Sequence, residues 1–123
     1  MTRETLKYIR DALGKAGINY EFGEWSREIK YPYFTGEYQE SPTANEDGCR
    51  DTAFILNGFS RGLYLELEKA KETIENTFTH SATILESGQG LSIEYDGALI
   101  IQTNDAELKR IQINLTIKEW RVK

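Results

Sequence analysis

The sequence predicts an α+β domain in which two helices pack on one face of a mainly antiparallel sheet. Residues 110–120 alternate strictly between apolar and polar side chains, so they form one long strand with a dry face and a wet face. A half-wet strand is typical of an antiparallel sheet covered on one side only. Two amphipathic stretches, at residues 2–16 and 60–78, supply helices for the covered side. A chain of 123 residues is long enough for a single core.

The first predicted helix occupies residues 2–16. Its apolar side chains recur in steps of three and four along one face, at Leu6, Ile9, Leu13 and Ala16. Thr2 is the predicted N-cap, because its hydroxyl can accept a hydrogen bond from a free amide of the first turn. Gly17 supplies the predicted C-terminal stop. The periodicity therefore predicts a helix that packs on the core.

Three strands are predicted in the first half of the chain. They occupy residues 18–25, 32–39 and 51–59. The apolar run at 53–56 predicts burial on both faces of the third strand. Residues 40–50 are rich in turn-forming and charged side chains and have no apolar periodicity. We therefore expect a mobile loop between the second and third strands.

The second predicted helix begins after Ser60, which is its expected N-cap, and ends near Phe78. Phe59 and Tyr64 flank this cap at the spacing of a hydrophobic staple. The helix has one charged face and one apolar face, whose positions are Leu63, Leu67, Ala70, Ile74 and Phe78. This face predicts packing beside the first helix on the same sheet.

The remainder of the chain predicts strands only, at residues 82–86, 91–95, 98–102 and 110–120. Asp96 and Gly97 stand between two of these runs and predict a two-residue hairpin turn, because glycine tolerates a positive φ. The sequence has no internal repeat and no linker that would divide it. It therefore predicts one domain over residues 1–123.

Charge and composition disfavour several function classes. Fifteen Lys and Arg against twenty Asp and Glu give a net charge of −5, and no basic cluster is present. A nucleic-acid partner or an anionic membrane surface would need such a cluster, so we expect neither sequence-specific nucleic-acid binding nor membrane binding. No apolar run predicts a membrane span or a signal peptide. The single cysteine is consistent with folding in a reducing cytoplasm.

Chemistry-bearing residues are few. His80 has no second metal-ligand type at a compatible spacing, so we expect an ordinary loop residue. Cys49 lies in the predicted loop and has no base near it in the sequence. The acidic stretch at 46–51 lacks the spacing of a calcium-binding loop. The sequence therefore predicts no catalytic residues, no cofactor and no metal site.

Residues 25–38 are dense in aromatic side chains: Trp25, Tyr31, Tyr33, Phe34 and Tyr38. One interpretation is a two-stranded unit that packs its aromatic face on the core. The other is a contact surface, because Tyr and Trp are enriched at protein interfaces. The sequence leaves both open. Stacking on nucleic-acid bases is disfavoured, because that requires accompanying cations and few are present.

Several short motifs, taken in order, resemble a known family. They are the end of the first helix at 13–18 (LGKAGI), the strand motifs at 20–23 (YEFG) and 32–38 (PYFTGEY), a charged helix at 63–78 and a terminal strand of alternating Ile. This layout resembles the small tail-completion proteins of long-tailed phages and prophages, which include tail-terminator and head–tail joining proteins. The resemblance covers most of the chain as an order of elements, and residues 79–107 do not match it.

The resemblance implies a structural virion protein and not an enzyme. Members of this group form rings, commonly hexameric, that cap the tail tube or join it to the head connector, so the implied partners are other copies, the tail-tube protein and the connector protein. The implied location is the virion tail, after synthesis in the host cytoplasm. The candidate interface residues are Trp25, Tyr31, Tyr33 and Tyr38 in the aromatic segment, with Glu46, Asp47 and Arg50 in the loop at 40–50.

Two other function classes remain open. One is a ligand-binding or accessory α+β module whose aromatic strands line a pocket, and it predicts a cavity with converging polar groups. The other is a small enzyme that uses carboxylates such as Glu21, Glu24 or Glu37. Acid–base catalysis needs a tuned pair of groups, and no spacing in the sequence identifies one.

Overall fold

The computed structural model describes residues 1–40, 48–79 and 81–120. The elements are α1 (Arg3–Lys15), β1 (Tyr20–Phe22), β2 (Tyr33–Glu40), β3 (Cys49–Arg61), α2 (Leu65–Phe78), β4 (Ser81–Ile84), β5 (Gly90–Ile101) and β6 (Leu108–Trp120). The six strands form one sheet in the order β1-β2-β3-β6-β5-β4, in which only β1 and β2 run parallel. Both helices pack into one hydrophobic core on one face of this sheet. The predicted α+β fold class is confirmed.

The first helix forms as predicted. Thr2 is the N-cap, and its hydroxyl accepts a hydrogen bond from the amide of Thr5 at 3.1 Å. Ile9 and Leu13 are fully buried, because they lie on the face that the apolar periodicity predicted. Gly17 follows the helix with a φ of +80°, a conformation that glycine adopts without strain.

The core lies between the helices and the inner faces of β3 and β6. Its largest fully buried side chains include Phe34, Phe54, Phe78, Leu56, Ile111 and Ile113. Gly58 allows one of these rings to reach the sheet, because a Cβ at this position would lie 2.3 Å from an atom of the Phe34 ring. The Phe34 ring can therefore occupy its place in the core only because Gly58 has no side chain.

The second helix begins later than predicted. β3 continues to Arg61, and Ser60 is buried in this strand and pairs with Lys109. The helix starts at Leu65, and the residue before it makes no side-chain capping hydrogen bond. The predicted Ser60 cap and its hydrophobic staple are therefore wrong. Pairing with the long strand β6 stabilises the extended backbone at Ser60 more than one cap would stabilise a longer helix.

The predicted hairpin at Asp96 and Gly97 is also wrong. β5 runs through both residues as one strand, and its register against β6 shifts between Tyr95 and Ala98. This irregularity is a β-bulge, and the φ of +105° at Gly97 supplies the unusual backbone conformation that it requires. β6 pairs with β5 on both sides of the bulge, so the turn-forming dipeptide bends the strand without reversing it.

The region between the second and third strands differs from the prediction at both ends. Glu40 belongs to β2, and Cys49 and Arg50 belong to β3, so at most residues 41–48 connect the two strands. Residues 41–47 of the predicted mobile loop lie outside the described residues. The expected burial of 53–56 on both faces is wrong, because Ala53 is exposed on the face opposite the helices. The first strand is shorter than predicted, since only Tyr20–Phe22 pair with β2.

Candidate functional site

The face of the sheet opposite α1 and α2 is not covered by either helix. We call it the outer face, and it is formed by alternate residues of β2, β3, β5 and β6. The β6 side chains on this face, from Arg110 to Lys118 at alternate positions, are all half-buried, whereas Ile111 to Ile117 at the intervening positions are buried against the helices. A sheet face that stays partly open to water can be covered by another molecule without any change in the fold.

One end of the outer face carries a cluster of stacked rings. Tyr33 of β2 lies directly across from Phe59 of β3, and their ring centroids are 5.1 Å apart. The Trp25 ring lies 4.8 Å from Tyr33, and the Tyr31 ring lies 5.7 Å from Tyr33. These separations are in the range of favourable aromatic pairs. We call these four residues, Trp25, Tyr31, Tyr33 and Phe59, the aromatic row.

Three arginines lie over the rings of the aromatic row. The guanidinium carbon of Arg27 is 4.6 Å from the Trp25 ring centroid. The corresponding distance is 5.8 Å from Arg61 to Tyr31, and 5.6 Å from Arg110 to Phe59. Cation–π contacts at these distances hold a positive charge against an apolar surface. Arg27 belongs to the aromatic segment itself, whereas the sequence did not show the other two cations near it, because they come from β3 and β6.

Hydrogen bonds fix the arginines in place. Arg110 Nη2 donates to Asn57 Oδ1 at 3.0 Å, and Asn57 Nδ2 donates to a Glu37 carboxylate oxygen at 3.1 Å. Arg61 Nε donates to the Tyr31 hydroxyl at 3.3 Å, and Arg61 also forms an ion pair of 3.4 Å with Asp105. The guanidinium groups of Arg61 and Arg110 therefore keep a defined orientation above their rings.

The same contacts set the protonation of the cluster. Burial raises the pKa of Tyr33, and the neighbouring Tyr31 raises it further. The hydrogen bond to the Tyr31 hydroxyl raises the pKa of Arg61, so its charge is retained at every ordinary pH. Tyr33 therefore stays neutral and Arg61 stays charged at neutral pH.

The structure separates the candidate interface residues into two groups. Trp25, Tyr31 and Tyr33 come together in the aromatic row. Tyr38 instead stacks on Phe22, with ring centroids 5.9 Å apart, on the helix-bearing side of the sheet. The remaining candidates are Arg50, which forms an ion pair of 2.6 Å with Glu40, and Glu46 and Asp47, which lie outside the described residues.

Four members of the cluster were not predicted as site residues: Phe59, Arg27, Arg61 and Arg110. The apolar periodicity of residues 51–59 identified a strand but not the register that places Phe59 across from Tyr33. Arg110 reaches Phe59 because these two residues are also cross-strand partners. The signal that could have found Phe59 and Arg110 is a Phe–Arg pair in neighbouring strands, and it becomes visible only when the pairing of β3 with β6 is known. Arg27 lies within the aromatic segment, two residues after Trp25, and was visible in the sequence.

The reactive side chains lie elsewhere and are engaged. Cys49 is 3% exposed, and its thiol donates to a carboxylate oxygen of Asp51 at 3.5 Å. Glu21 accepts hydrogen bonds from the amide and hydroxyl of Ser26, and these bonds lower its pKa. His80 lies outside the described residues. Within the described ranges, no three His, Cys, Asp or Glu side chains are grouped to hold a metal ion, and neither helix is long and apolar enough to span a membrane.

A groove beside the first helix is lined by none of the four rings of the aromatic row, although Arg27 contributes to it. It has a volume of about 630 Å³ and runs between α1 and β1 on the helix-bearing side. Its lining includes the basic residues Arg3, Lys7, Arg10 and Arg27. A scan against protein-family models finds no match to this chain, and a search of curated proteins finds no similar sequence. The aromatic row and this groove are therefore assigned from their geometry.

Proposed function

We propose that this protein is a structural subunit of the head-proximal end of a phage tail, where copies form a ring that caps the tail tube or joins it to the head connector. The observation that carries the proposal is the outer face of the sheet with its aromatic row and three arginines. The phage assignment itself is supported by the resemblance in element order and in the motifs at 13–18, 20–23 and 32–38.

The composition of the cluster favours a protein partner. Tyr, Trp and Arg are the residue types that contribute most to protein interfaces, because they combine a large apolar area with directional polar groups. Tyr31 is 39% exposed, so the cluster still has surface to lose on binding. The stacked rings are already ordered, so a partner would not need to immobilise them.

A nucleic-acid partner is less favoured, although the three arginines supply cations beside the rings. The charge of Arg61 is offset by Asp105 at 3.4 Å, and Arg27 lies 3.6 Å from a Glu21 carboxylate oxygen. Glu37 is connected to Arg110 through Asn57. A phosphate group at this surface would meet these carboxylates, and the chain as a whole carries a charge of −5.

A non-catalytic role is consistent with the state of the reactive groups. The thiol of Cys49 is too buried to meet a substrate, and the carboxylate of Glu21 already accepts hydrogen bonds from Ser26. Catalysis by a nucleophile or by an acid–base pair needs such groups to converge on an accessible point. In the described residues the accessible cluster is aromatic and cationic instead.

The proposal is tested by deleting the gene from the phage or prophage that carries it and imaging the lysate by electron microscopy. We expect DNA-filled heads separated from tails, or tails of abnormal length. Free heads with tails of normal length would assign the joining role, and overlong tails would assign the capping role. Intact, infectious particles from the deletion strain would overturn the proposal.

Complementation of the deletion strain then tests the outer face. Tyr31→Ala and Tyr38→Ala are a matched pair, because both side chains are 39% exposed but only Tyr31 belongs to the aromatic row. We expect Tyr31→Ala to reduce the yield of complete particles by at least about tenfold, as loss of a central interface residue does. Tyr38→Ala should complement normally. Equal complementation by both folded variants, checked by circular dichroism, would exclude the aromatic row as the contact surface.

The alternative function, a ligand-binding module, predicted a pocket lined by the aromatic strands. The groove that could hold a ligand lies beside α1 instead. The groove between α1 and β1 is lined mainly by basic and apolar side chains, and Trp25, Tyr31 and Tyr33 do not line it. An anionic ligand would suit this groove better than one held by aromatic stacking. Isothermal titration calorimetry of the purified protein with small organic anions tests this alternative. The ligand-binding alternative fails if the anions produce no heat beyond that of dilution.

A further inference from the structure

The groove between α1 and β1 combines an apolar floor with a basic rim. Leu6, Ile18 and Phe22 line it, and Phe22 is 46% exposed. Arg3, Lys7 and Arg10 line the α1 side, because positions three and four apart lie on the same face of a helix. An exposed apolar surface with a charged rim is the usual composition of a protein docking site.

The positive charge of this groove is only partly offset. Its lining contains four basic side chains and one acidic side chain, Glu21, which the nearby Ser26 and Arg27 already engage. Arg10 forms an exposed ion pair with Asp11 at 3.4 Å. In the described part of the chain, Arg3 and Lys7 form no ion pair. These two cations are therefore free to meet an anionic partner, although the whole chain is acidic.

A second groove lies beside the opposite edge of the sheet. It has a volume of about 600 Å³ and runs between the C-terminal end of α2 and the strands β4 and β5. Its two charged lining residues are Glu75 and Glu94, and Tyr95 and Ala82 contribute apolar area. Lys71 lies near Tyr95, but it is held in an ion pair of 3.3 Å with Glu68. The second groove is therefore acidic where the first is basic.

We propose that the basic groove beside β1 binds the acidic groove beside β4 of a second copy of this chain, so that copies associate head to tail. β1 and β4 are the two edges of the sheet. The basic groove lies beside the first edge, and the acidic groove wraps around the second, because Glu94 lies on the outer face whereas Glu75 belongs to α2. A contact between two different surfaces repeats from copy to copy and closes into a ring when the rotation allows. This inference rests on the proposed function, since it identifies the self-contact of the proposed ring.

The assignment also separates two roles on one molecule. The two edge grooves would join like copies, and the aromatic row on the outer face would remain free for a different protein. Edge strands favour such contacts, because β1 and β4 each pair with a single strand among the described residues, and the backbone groups on the other side of an edge strand can pair with another chain. Opposite charges on the two edges favour contacts between unlike edges of two copies and disfavour contacts between like edges.

Charge reversal with rescue tests the inference. The purified protein and three variants are compared by sedimentation velocity over a range of protein concentrations at low salt. The first variant carries Arg3→Glu and Lys7→Glu, the second carries Glu75→Lys and Glu94→Lys, and the third carries all four changes. We expect each double variant to associate at least about tenfold more weakly than the parent, because like charges then face each other, and we expect the fourfold variant to recover.

A matched control has the same change in net charge as the first variant, but outside both grooves. Lys15→Glu with Lys69→Glu alters two exposed helix positions that line neither groove. This control should associate like the parent, and association of the parent should weaken as salt is raised, since exposed charges are screened. Recovery in the fourfold variant also excludes misfolding as the cause of the losses.

Three outcomes would overturn the inference. They are a parent protein that stays monomeric throughout, double variants that associate as the parent does, and a fourfold variant that fails to recover although it is folded. None of these outcomes decides the proposed function, which is judged separately by the particles of the deletion strain. Association that survives charge reversal, together with defective particles, would keep the tail role and place the self-contact elsewhere.

Discussion

The two faces of the β3–β6 strand pair differ sharply in what covers them. On the inner face, Ile113 lies across from Leu56, and both are fully buried under the helices. On the outer face, Ile55 lies across from Asn114, and both are half-buried. The same two strands therefore build a closed core on one side and an open surface on the other. The inner face therefore contributes most of the buried apolar contacts that stabilise the fold, while the outer face stays accessible to a binding partner.

The strongest test of this comparison replaces the same residue type on each face. Ile113→Ala should lower the free energy of unfolding by about 2–5 kcal/mol, because it removes buried methyl groups and leaves a cavity. Ile55→Ala should cost less than half as much, since its side chain keeps contact with water in the folded state. Urea unfolding of both variants measures the difference. Equal losses would mean that the outer face contributes to the core as much as the inner face does.

Gly58 tests the inner face from the opposite direction, by adding an atom. Gly58→Ala would place a Cβ 2.3 Å from the Phe34 ring, so the ring must move and the free energy of unfolding should fall by about 1–3 kcal/mol. Gly14→Ala is the control, because nothing lies within 4 Å of its added Cβ and alanine favours a helix. Thermal unfolding should show a lower midpoint for the first variant and an unchanged or higher midpoint for the second.

A buried carboxylate of the inner face lies against the N-terminal end of α1. Glu119 is 0% exposed, and one of its oxygens accepts hydrogen bonds from the Thr5 hydroxyl at 2.7 Å and from Gln89 Nε2 at 3.0 Å. Thr5→Val should cost about 1–2 kcal/mol, since it removes a hydrogen bond from a buried acceptor. Thr116→Val on the outer face should change the free energy of unfolding by no more than about 0.5 kcal/mol. Denaturant titration of the two variants checks this pair.

The elements best predicted from the sequence are those whose local pattern and tertiary role agree. Residues 110–120 alternate because β6 has a covered face and an open face, and the structure shows this division along the whole strand. The first helix has its cap, its apolar stripe and its glycine stop within 17 residues, so no distant contact is needed to identify it. Local sequence was sufficient for these two elements.

Other features depend on partners that are distant in the sequence. Ser60 could cap a helix, but pairing with Lys109 keeps it in β3. Asp96 and Gly97 could form a hairpin turn, but β6 extends past them and makes the turn a bulge. The same reason explains the site: Trp25, Tyr31 and Tyr33 were visible as an aromatic segment, whereas the positions of Phe59 and Arg110 required the strand register. Residues 41–47, which include two candidate interface residues, lie outside the described structure.

The smallest expected effect concerns Glu40, a carboxylate on the helix-bearing side that is only 22% exposed. Hydrogen bonds from the amine of Met1 and from Arg50 lower its pKa in the folded state. A lowered folded pKa means that the unfolded chain takes up a proton first as the pH falls. The stabilisation by Glu40 is therefore present above the unfolded pKa of about 4.3 and is lost as the pH falls through the lower folded value.

Glu40→Gln should therefore lower the free energy of unfolding at pH 7 by no more than about 1 kcal/mol, the range of a partly exposed ion pair. The difference from the parent should shrink as the pH falls below about 4.3, because the parent then loses the same charge. Glu24→Gln, at an exposed position, should match the parent throughout. Urea unfolding from pH 3 to pH 7 measures both variants. If the free energies of unfolding of Glu40→Gln and the parent still differ at pH 3, Glu40 acts through packing and not through its charge. The contrast between the two faces would then depend on apolar contacts alone.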